Sequence, residues 1–365
     1  MSKSFALAVL VAAGGSLVAG GAVATETKTA EQQFKNIQVL KGMPAAQLDP
    51  AMDVMAAALG VGCAHCHVQG PPQGPWPMEK DDKQAKRTAR KMITMMQKIN
   101  HDFFGGDMVV TCATCHNGHV EPRSLPPMEL AAKPEKHEGE AKPPALTTKQ
   151  ILDKWLQASG GAAAWSKIKT RVSKGTLAGF GPQAQPLEVV QSAPDHWKVT
   201  ATGPRGPIVN TWTGKLGWRS FGPMVMPIEG DDAVETRREA QLAPPVTMPK
   251  LIEGLKVVAD EPLPKGNAHV LAGKEGDLQV RLYFDAATGL LARVLSLAPT
   301  PVGDLPHQTD YEDYRTVDGV KLPFIDRERR GGHEFTQTYT EIKNNAPVDE
   351  KQFAMPPAPP PPAGK

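Results

Sequence analysis

Apolar positions change their spacing along this chain. Between residues 48 and 100 they recur every three and four positions, the period of an amphipathic helix, whereas beyond Ile168 they alternate in short runs, the period of a strand. The first helical stretch, "LDPAMDVMAAALGVGCAHCH", opens with Asp49 as the expected N-cap and Pro50 at the first helical position. Met52, Met55, Ala56 and Leu59 fall on one stripe of it, and Gly60 and Gly62 let the chain reverse. "KQAKRTARKMITMMQKIN" predicts a second helix, with Met92, Met95, Met96 and Ile99 on one stripe and Gly105 and Gly106 after it. A third, "TTKQILDKWLQASGG", is capped by Thr147 or Thr148 and stopped by Gly160 and Gly161.

From Ile168 to Ile342 the alternating runs include "TRVSKGTLAGF", "LEVVQSA", "HWKVTAT", "VNTWTGKLGWRS", "LQVRLYFDAATGLLARVLSL", "TDYEDYRTVDGVKLPF" and "FTQTYTEIKN". Asp318-Gly319 is a hairpin signal and "DAATGL" another turn, so these runs predict an antiparallel sheet. The fold class expected is α+β and multidomain: an all-α part over residues 25–122, then a β-rich antiparallel part over 147–353.

Three segments carry neither period. Residues 1–24 read as an export signal: Lys3, an apolar core too short and glycine-rich to span a bilayer, and the small-x-small site Ala22-Val23-Ala24. The mature chain is expected to start near Thr25, in the periplasm, with no cysteine beside the cleavage site to carry a lipid. Residues 123–146, which include His137, read as a proline-rich linker, and 354–365 as a polyproline-like tail. The 365 residues suffice for two or three domains, and a net charge of +2 offers no bulk electrostatic argument for nucleic acid or an anionic membrane surface.

The four cysteines fall in two copies of one motif, Cys63-x-x-Cys66-His67 and Cys112-x-x-Cys115-His116. In an oxidising compartment disulfides between the pairs are one reading, and a four-thiolate zinc site is another. The 45 residues between Cys66 and Cys112 exceed the spacing of compact zinc ribbons, and neither reading explains a histidine after each pair. Two covalent c-type haems explain all six residues: each cysteine pair forms thioethers to the porphyrin vinyl groups, and the adjacent histidine becomes the proximal iron ligand. Each motif follows a helix bearing Met-x-x-Met and a glycine turn, so the unit repeats after roughly 45 residues. Methionine is the usual strong-field sixth ligand, but spacing does not choose between the two sulfurs of each pair.

"FKNIQVLKGMPAAQLDPAMDVMAAALGVGCAHCHV", "ARKMITMMQKIN" and "VTCATCHNGHVEP" together resemble the first two haem repeats of the multihaem cytochrome subunit of photosynthetic reaction centres. The resemblance implies that the first methionine of each pair, Met52 and Met92, is the distal iron ligand, and that Met55 and Met95 pack against the porphyrin. That family usually has four haems, and its distal histidine between the second helix and second motif has no counterpart here, since His101 does not align with it. Electron carriage between redox partner proteins, membrane-bound ones included, is what the resemblance implies; phototrophy does not follow from it. The rival reading is a peroxidase-like diheme enzyme with one open iron position, and a third is a haem-bearing scaffold whose β part does the binding.

The β-rich part resembles the incomplete-barrel domains of the outer-membrane lipoprotein localisation type, carried by "GGAAAWSKIKTRVSKGTL", "LYFDAATGLLARV" and "DYRTVDGVKLPF". That resemblance implies a curved sheet around an apolar groove for an acyl chain or a partner protein. No nucleophile, base and orienter emerge among His196, His269, His307 and His333, and Asp231, Asp232 and Glu235 read as a solvated helix start. His65 and His119 read as exposed or hydrogen-bonded, and Trp76 as packing on a haem edge or the core. Lys83, Arg87 and Lys91 share a helix face beside Arg90, suited to haem propionates, to an acidic partner or simply to solvent.

Overall fold

The computed structural model describes residues 28–71, 75–122, 146–181, 183–203, 206–222 and 224–355. The expected signal peptide lies outside the described residues, as do His137, the linker up to residue 145 and the tail from residue 356.

The N-terminal part is helical: α1 (Ala30–Gln33), α2 (Leu48–Leu59), α3 (Gln84–Phe104) and α4 (Cys112–His116). α2 starts two residues earlier than expected, because a 3-10 turn, Ala45–Gln47, runs straight into it and Gln47 takes the cap position. Asp49 therefore lies in the first turn rather than at the N-cap. The far ends follow the glycines. Gly60 closes α2 at φ 67° and Gly105 closes α3 at φ 65°, both in the left-handed region that glycine enters without a Cβ penalty.

Among the described residues, thirteen strands form one antiparallel sheet. They are β1 (Thr170–Ala178), β2 (Gln185–Ser192), β3 (His196–Gly203), β4 (Gly206–Thr213), β5 (Gly217–Phe221) and β6 (Met224–Ile228). The second half comprises β7 (Glu253–Pro262), β8 (Asn267–Glu275), β9 (Leu278–Asp285), β10 (Leu291–Ala298), β11 (Leu305–Val317), β12 (Val320–Arg330) and β13 (His333–Asn344). The order β6-β5-β4-β3-β2-β1-β13-β12-β11-β10-β9-β8-β7 describes two meanders. One long-range pairing, with Val172 opposite Lys343 and Thr176 opposite Thr338, joins them. β6 and β7 remain as edges, so the sheet is open rather than a closed barrel. Asp318 (φ 50°) and Gly319 (φ 83°) make the two-residue turn that the sequence signals between β11 and β12.

Four helices accompany the sheet: α5 (Thr148–Ala158), α6 (Gly161–Trp165), α7 (Gly230–Glu239) and α8 (Pro244–Thr247). Thr147 caps α5, accepting from the Gln150 amide while the Gln150 side chain accepts from the Thr147 amide. α7 lies across β10–β12, since Glu235 reaches Ser296, His307 and Arg330. It is not the solvated start expected of Asp231, Asp232 and Glu235: Glu235 is 3% exposed and ion-paired.

Helical and sheet parts share one core. Leu48, Ala51, Val54 and Met55 of α2 and Ile93 and Met96 of α3 belong to the same buried cluster as Leu271, Val280, Leu282 and Val302. Each such side chain contributes roughly 1.5–3 kcal/mol on burial. The close approach is visible in the backbone: a Cβ on Gly303 would press on Thr111 and Val54, and one on Gly331 would press on Asp53.

Candidate functional site

Both Cys-x-x-Cys-His motifs fold as a single helical turn. The first is a 3-10 turn, Cys63–His65, with the His67 amide donating to the Cys63 carbonyl at 3.0 Å; the second is α4, opened by Thr111 and closed by Asn117. A helical turn brings side chains three and four apart to one face, so the first cysteine of each motif shares a face with both the second cysteine and the histidine. None of the four thiols is bridged to another. Among the described residues no three His, Cys, Asp or Glu side chains converge as a metal-binding group, so the two pairs do not assemble a four-thiolate site.

The two histidines share a second feature. His67 Nδ1 lies 3.1 Å from the Met78 carbonyl, and His116 Nδ1 lies 3.0 Å from the His119 carbonyl. A carbonyl only accepts, so each ring carries its proton on Nδ1 and keeps a lone pair on Nε2. This is the orientation in which an imidazole binds iron while its other nitrogen is held by the protein. Burial pushes the His67 ring below its ordinary pKa, and burial also pushes the Cys66 and Cys112 thiols up.

The methionine stripes split between two faces. Met55 (9% exposed) and Met96 (4%) point into the shared core, whereas Met52 (36%) and Met92 (38%) stand at the surface beside other uncovered apolar groups, including Met95, Phe104 and Met108. Met55 thus packs in the core shared with the sheet. Burial separates Met52 from Met55 but does not separate Met92 from Met95, which is also exposed. Among the described residues seven methionine and phenylalanine side chains of the N-terminal part are left at the surface, and a flat apolar group of haem size would cover such side chains.

Helix α3 holds both motifs. Lys83 donates to the Ala64 carbonyl inside the first motif, and Lys86 donates to the Met78 carbonyl at 2.7 Å, the acceptor that His67 also uses. Arg90 pairs with Asp81 at 2.7 Å and Arg87 donates to the Asp81 carbonyl, so much of the expected basic face grips the chain's own loop at residues 78–82. The guanidinium of Arg90, with Asn36 and Lys86, holds the Asp81 carboxyl well below the usual range. At the other end of α3, buried Asn100 accepts from the Val109 and Val110 amides and donates to the Val110 carbonyl, fixing the strand of chain that enters Cys112. The motifs also touch through the backbone: the Gly118 amide donates to the Ala58 carbonyl at 2.8 Å. A Cβ on Gly60 would collide with the Gly118 carbonyl.

His101 is exposed and paired with Asp102, and His65 is exposed. Trp76 is half-buried. Lys86 and Asn100 were not singled out from the sequence. A lone asparagine at a core position of a helix, four residues beyond Met96 and seven beyond Ile93 on the buried stripe, is the signal that marks Asn100.

The class defined by this geometry is a pair of Cys-x-x-Cys-His turns on a helical part, packed against an open antiparallel sheet. Residues 12–148 match a family model described as the photosynthetic reaction centre cytochrome C subunit. Over its N-terminal part the chain is 32% identical across 114 residues to cytochrome c-554 of Chloroflexus aurantiacus, covering 27% of this chain and 26% of that protein. It is 30% identical across 100 residues to the photosynthetic reaction center cytochrome c subunit of Rubrivivax gelatinosus, covering 26% of this chain and 25% of that protein. The chain thus spans about a quarter of the length of the curated relatives it matches. The sheet part is similar to a LolA superfamily protein from Nitrosomonas europaea, at 14% identity and a TM-score of 0.40, over 58% of this chain and 99% of that one. It is also similar to a DUF1329 family protein from Desulfovibrio piger, at 10% identity and a TM-score of 0.41, over 56% of this chain and 96% of that one. The reaction-centre cytochrome resemblance read from the motifs is therefore the one that the family model and the curated relatives return. Among the described residues no helix is long and apolar enough to cross a membrane.

Proposed function

We propose that this chain is an exported c-type cytochrome that carries two covalent haems and passes electrons between redox partner proteins. Cys63 and Cys66 bind the first haem and Cys112 and Cys115 the second; His67 and His116 are the proximal ligands, and Met52 and Met92 the distal ones. Covalent haem supplies a one-electron centre, and the protein's part is to orient the ligands and hold them still. The observation that supports this reading best is the repeated Nδ1–H to carbonyl bond, which gives both motif histidines the same iron-ready tautomer. Burial supports Met52 over Met55 as a sulfur available to a ligand site. Two distal methionines leave no open iron position, which distinguishes a carrier from a peroxidase-like enzyme.

The test is the intact mass of protein matured in a cytochrome-competent, secreting host, together with carbon monoxide binding to the reduced form. The expected result is the added mass of two haems, one lost in Cys63→Ser/Cys66→Ser and the other in Cys112→Ser/Cys115→Ser, with no carbon monoxide bound. No added mass would overturn the reading, and tight binding at one haem would replace the carrier by the enzyme.

A further inference from the structure

The inside of the sheet adds charged side chains to the apolar lining that the resemblance implies. It holds a cavity of about 170 Å³, an order of magnitude more than one water needs, whose lining includes Trp155, Trp165 and Trp197. The same lining includes two carboxyls, Glu239 at the end of α7 and Asp326 on β12, with the Tyr311 ring near both. Exposed Lys321 also lines the cavity, so the cavity reaches the surface.

Those two carboxyls lack the partners that their neighbours have. Asp326 Oδ1 is buried with no hydrogen-bond partner, and Oδ2 receives only a long bond, 3.4 Å, from the Tyr339 hydroxyl, which lies closer to Gln337 at 2.8 Å. Burial, joined by the charges of Glu239 and Glu328, pushes Asp326 up to about 7, whereas Glu239 is exposed to solvent. The arginines of α7 and β12 are paired elsewhere. Arg238 pairs with Glu275 at 2.8 Å, Arg327 with Glu312 at 2.9 Å, Arg329 with Asp310 at 3.0 Å, and Arg330 with Glu235 at 3.2 Å. His307 lies between Glu235 and Glu328. Arg171, stacked over Trp165, spends its donors on the neutral oxygens of Asn344, Gln191 and Leu242.

A space open to solvent at one end, with aromatic walls, a buried Asp326 carboxyl that the chain leaves unsatisfied and the exposed Glu239 beside it, has a definite complement. We infer that this cavity binds a small organic cation, an ammonium compound with an apolar body, whose charge sits between Asp326 and Glu239 and whose body lies against the tryptophans. A desolvated cation gains from both the carboxylates and the indole faces. An acyl chain would instead lay methylenes against unpaired carboxyls and leave them unsatisfied.

The experiment is calorimetric titration of the full chain with benzylammonium, with benzyl alcohol as the uncharged isostere, benzoate as the anion and laurate as the acyl chain. Benzylammonium is expected to bind at one site at least ~10-fold more tightly than the other three, the least that losing one charge-assisted hydrogen bond implies. Asp326→Asn and Glu239→Gln, which keep shape and remove charge, should each weaken it by a similar factor while leaving benzyl alcohol unchanged. Equal or tighter binding of benzyl alcohol, benzoate or laurate, no binding of benzylammonium, or unaltered binding in both variants would each overturn the assignment. If either variant fails to fold, the four-probe ranking on the unaltered chain decides by itself. Haem content does not enter the measurement, so its outcome is independent of the electron-carrier reading.

Discussion

Replacing Lys86 should lower the reduction potential at the first motif and leave the second alone. In the first site the Met78 carbonyl accepts two donors, His67 Nδ1 at 3.1 Å and the Lys86 ammonium at 2.7 Å. In the second, the His119 carbonyl receives His116 Nδ1 at 3.0 Å. A carbonyl already engaged by a cation is a weaker acceptor for the imidazole N–H, so with iron bound His67 would carry less imidazolate character than His116 and would stabilise the oxidised iron less. Removing the ammonium in Lys86→Met returns the whole acceptor to His67. If the strengthened bond is worth the net value of an ordinary hydrogen bond, about 0.5–1.5 kcal/mol, the potential should fall by on the order of 20–60 mV at ~59 mV per tenfold.

Spectroelectrochemical titration of the Cys112→Ser/Cys115→Ser background, which keeps one haem, reads the shift directly. Lys86 also pairs with Asp81 at 3.2 Å, so its lost charge acts in the same direction and must be separated. Lys86→Gln keeps a neutral donor without the charge, and a shift that shrinks at 0.5 M salt belongs to charge rather than to the carbonyl. A potential that rises, does not move, or moves equally in the complementary background lacking Cys63 and Cys66 would refute the reasoning.

Met52→Ala and Met55→Ala should part company: the first loses the near-infrared sulfur-to-iron band with little loss of stability, and the second keeps the band but loses about 2–5 kcal/mol in urea unfolding, because it empties a core position. Retention of the band in Met52→Ala would move the ligand elsewhere. His307→Gln should cost about 1.5–3 kcal/mol, since it removes the cation that Glu328 shares with Glu235, while Glu235 keeps Arg330 and Ser296. The pH profile follows from the same cluster. Burial alone would lower His307, but Glu235 and Glu328 raise it to about 10, so its stabilisation is full below the ordinary 6.5 and is lost as pH climbs through about 10. Burial alone would raise Glu235, but His307 and Arg330 bring it down to about 2, so its share is full above the ordinary 4.5 and fades as pH drops through about 2. A flat unfolding midpoint from pH 7 to 10 would contradict this account.

Local signals carried much of this architecture. Gly60, Gly105, Thr147 and Asp318-Gly319 mark element ends through backbone conformation and capping, which neighbouring residues alone decide. What depended on distant partners was not legible. β7 is half polar and β6 contains Pro227, so neither shows a clean alternation, and both are edge strands. The Met92, Met95, Met96 and Ile99 stripe looked continuous by spacing, yet Met96 turns with Ile93 and Asn100 into a core that includes sheet residues. Asp231, Asp232 and Glu235 looked like a solvated helix start because His307 and Arg330, which bury Glu235, lie 72 and 95 positions further on.

The same dependence on distant contacts bears on how the two motifs work together. α3 carries Met92, grips the first motif through Lys83 and Lys86, and grips the approach to the second through Asn100. α2 carries Met52 and is tied to the second motif's loop by the Ala58 to Gly118 bond. Each helix therefore serves both sites, and each is anchored in the core shared with the sheet. A one-electron carrier gains when its ligands do not move between oxidation states, because ligand movement adds to the barrier for transfer. Cross-bracing of this kind makes the motion of either motif a motion of both, and the sheet opposes it with buried side chains from β9 and β10. On this reasoning the β-rich part stiffens the helical part whatever the cavity binds, and cutting the chain between residues 123 and 145 should loosen both sites rather than release an independent carrier.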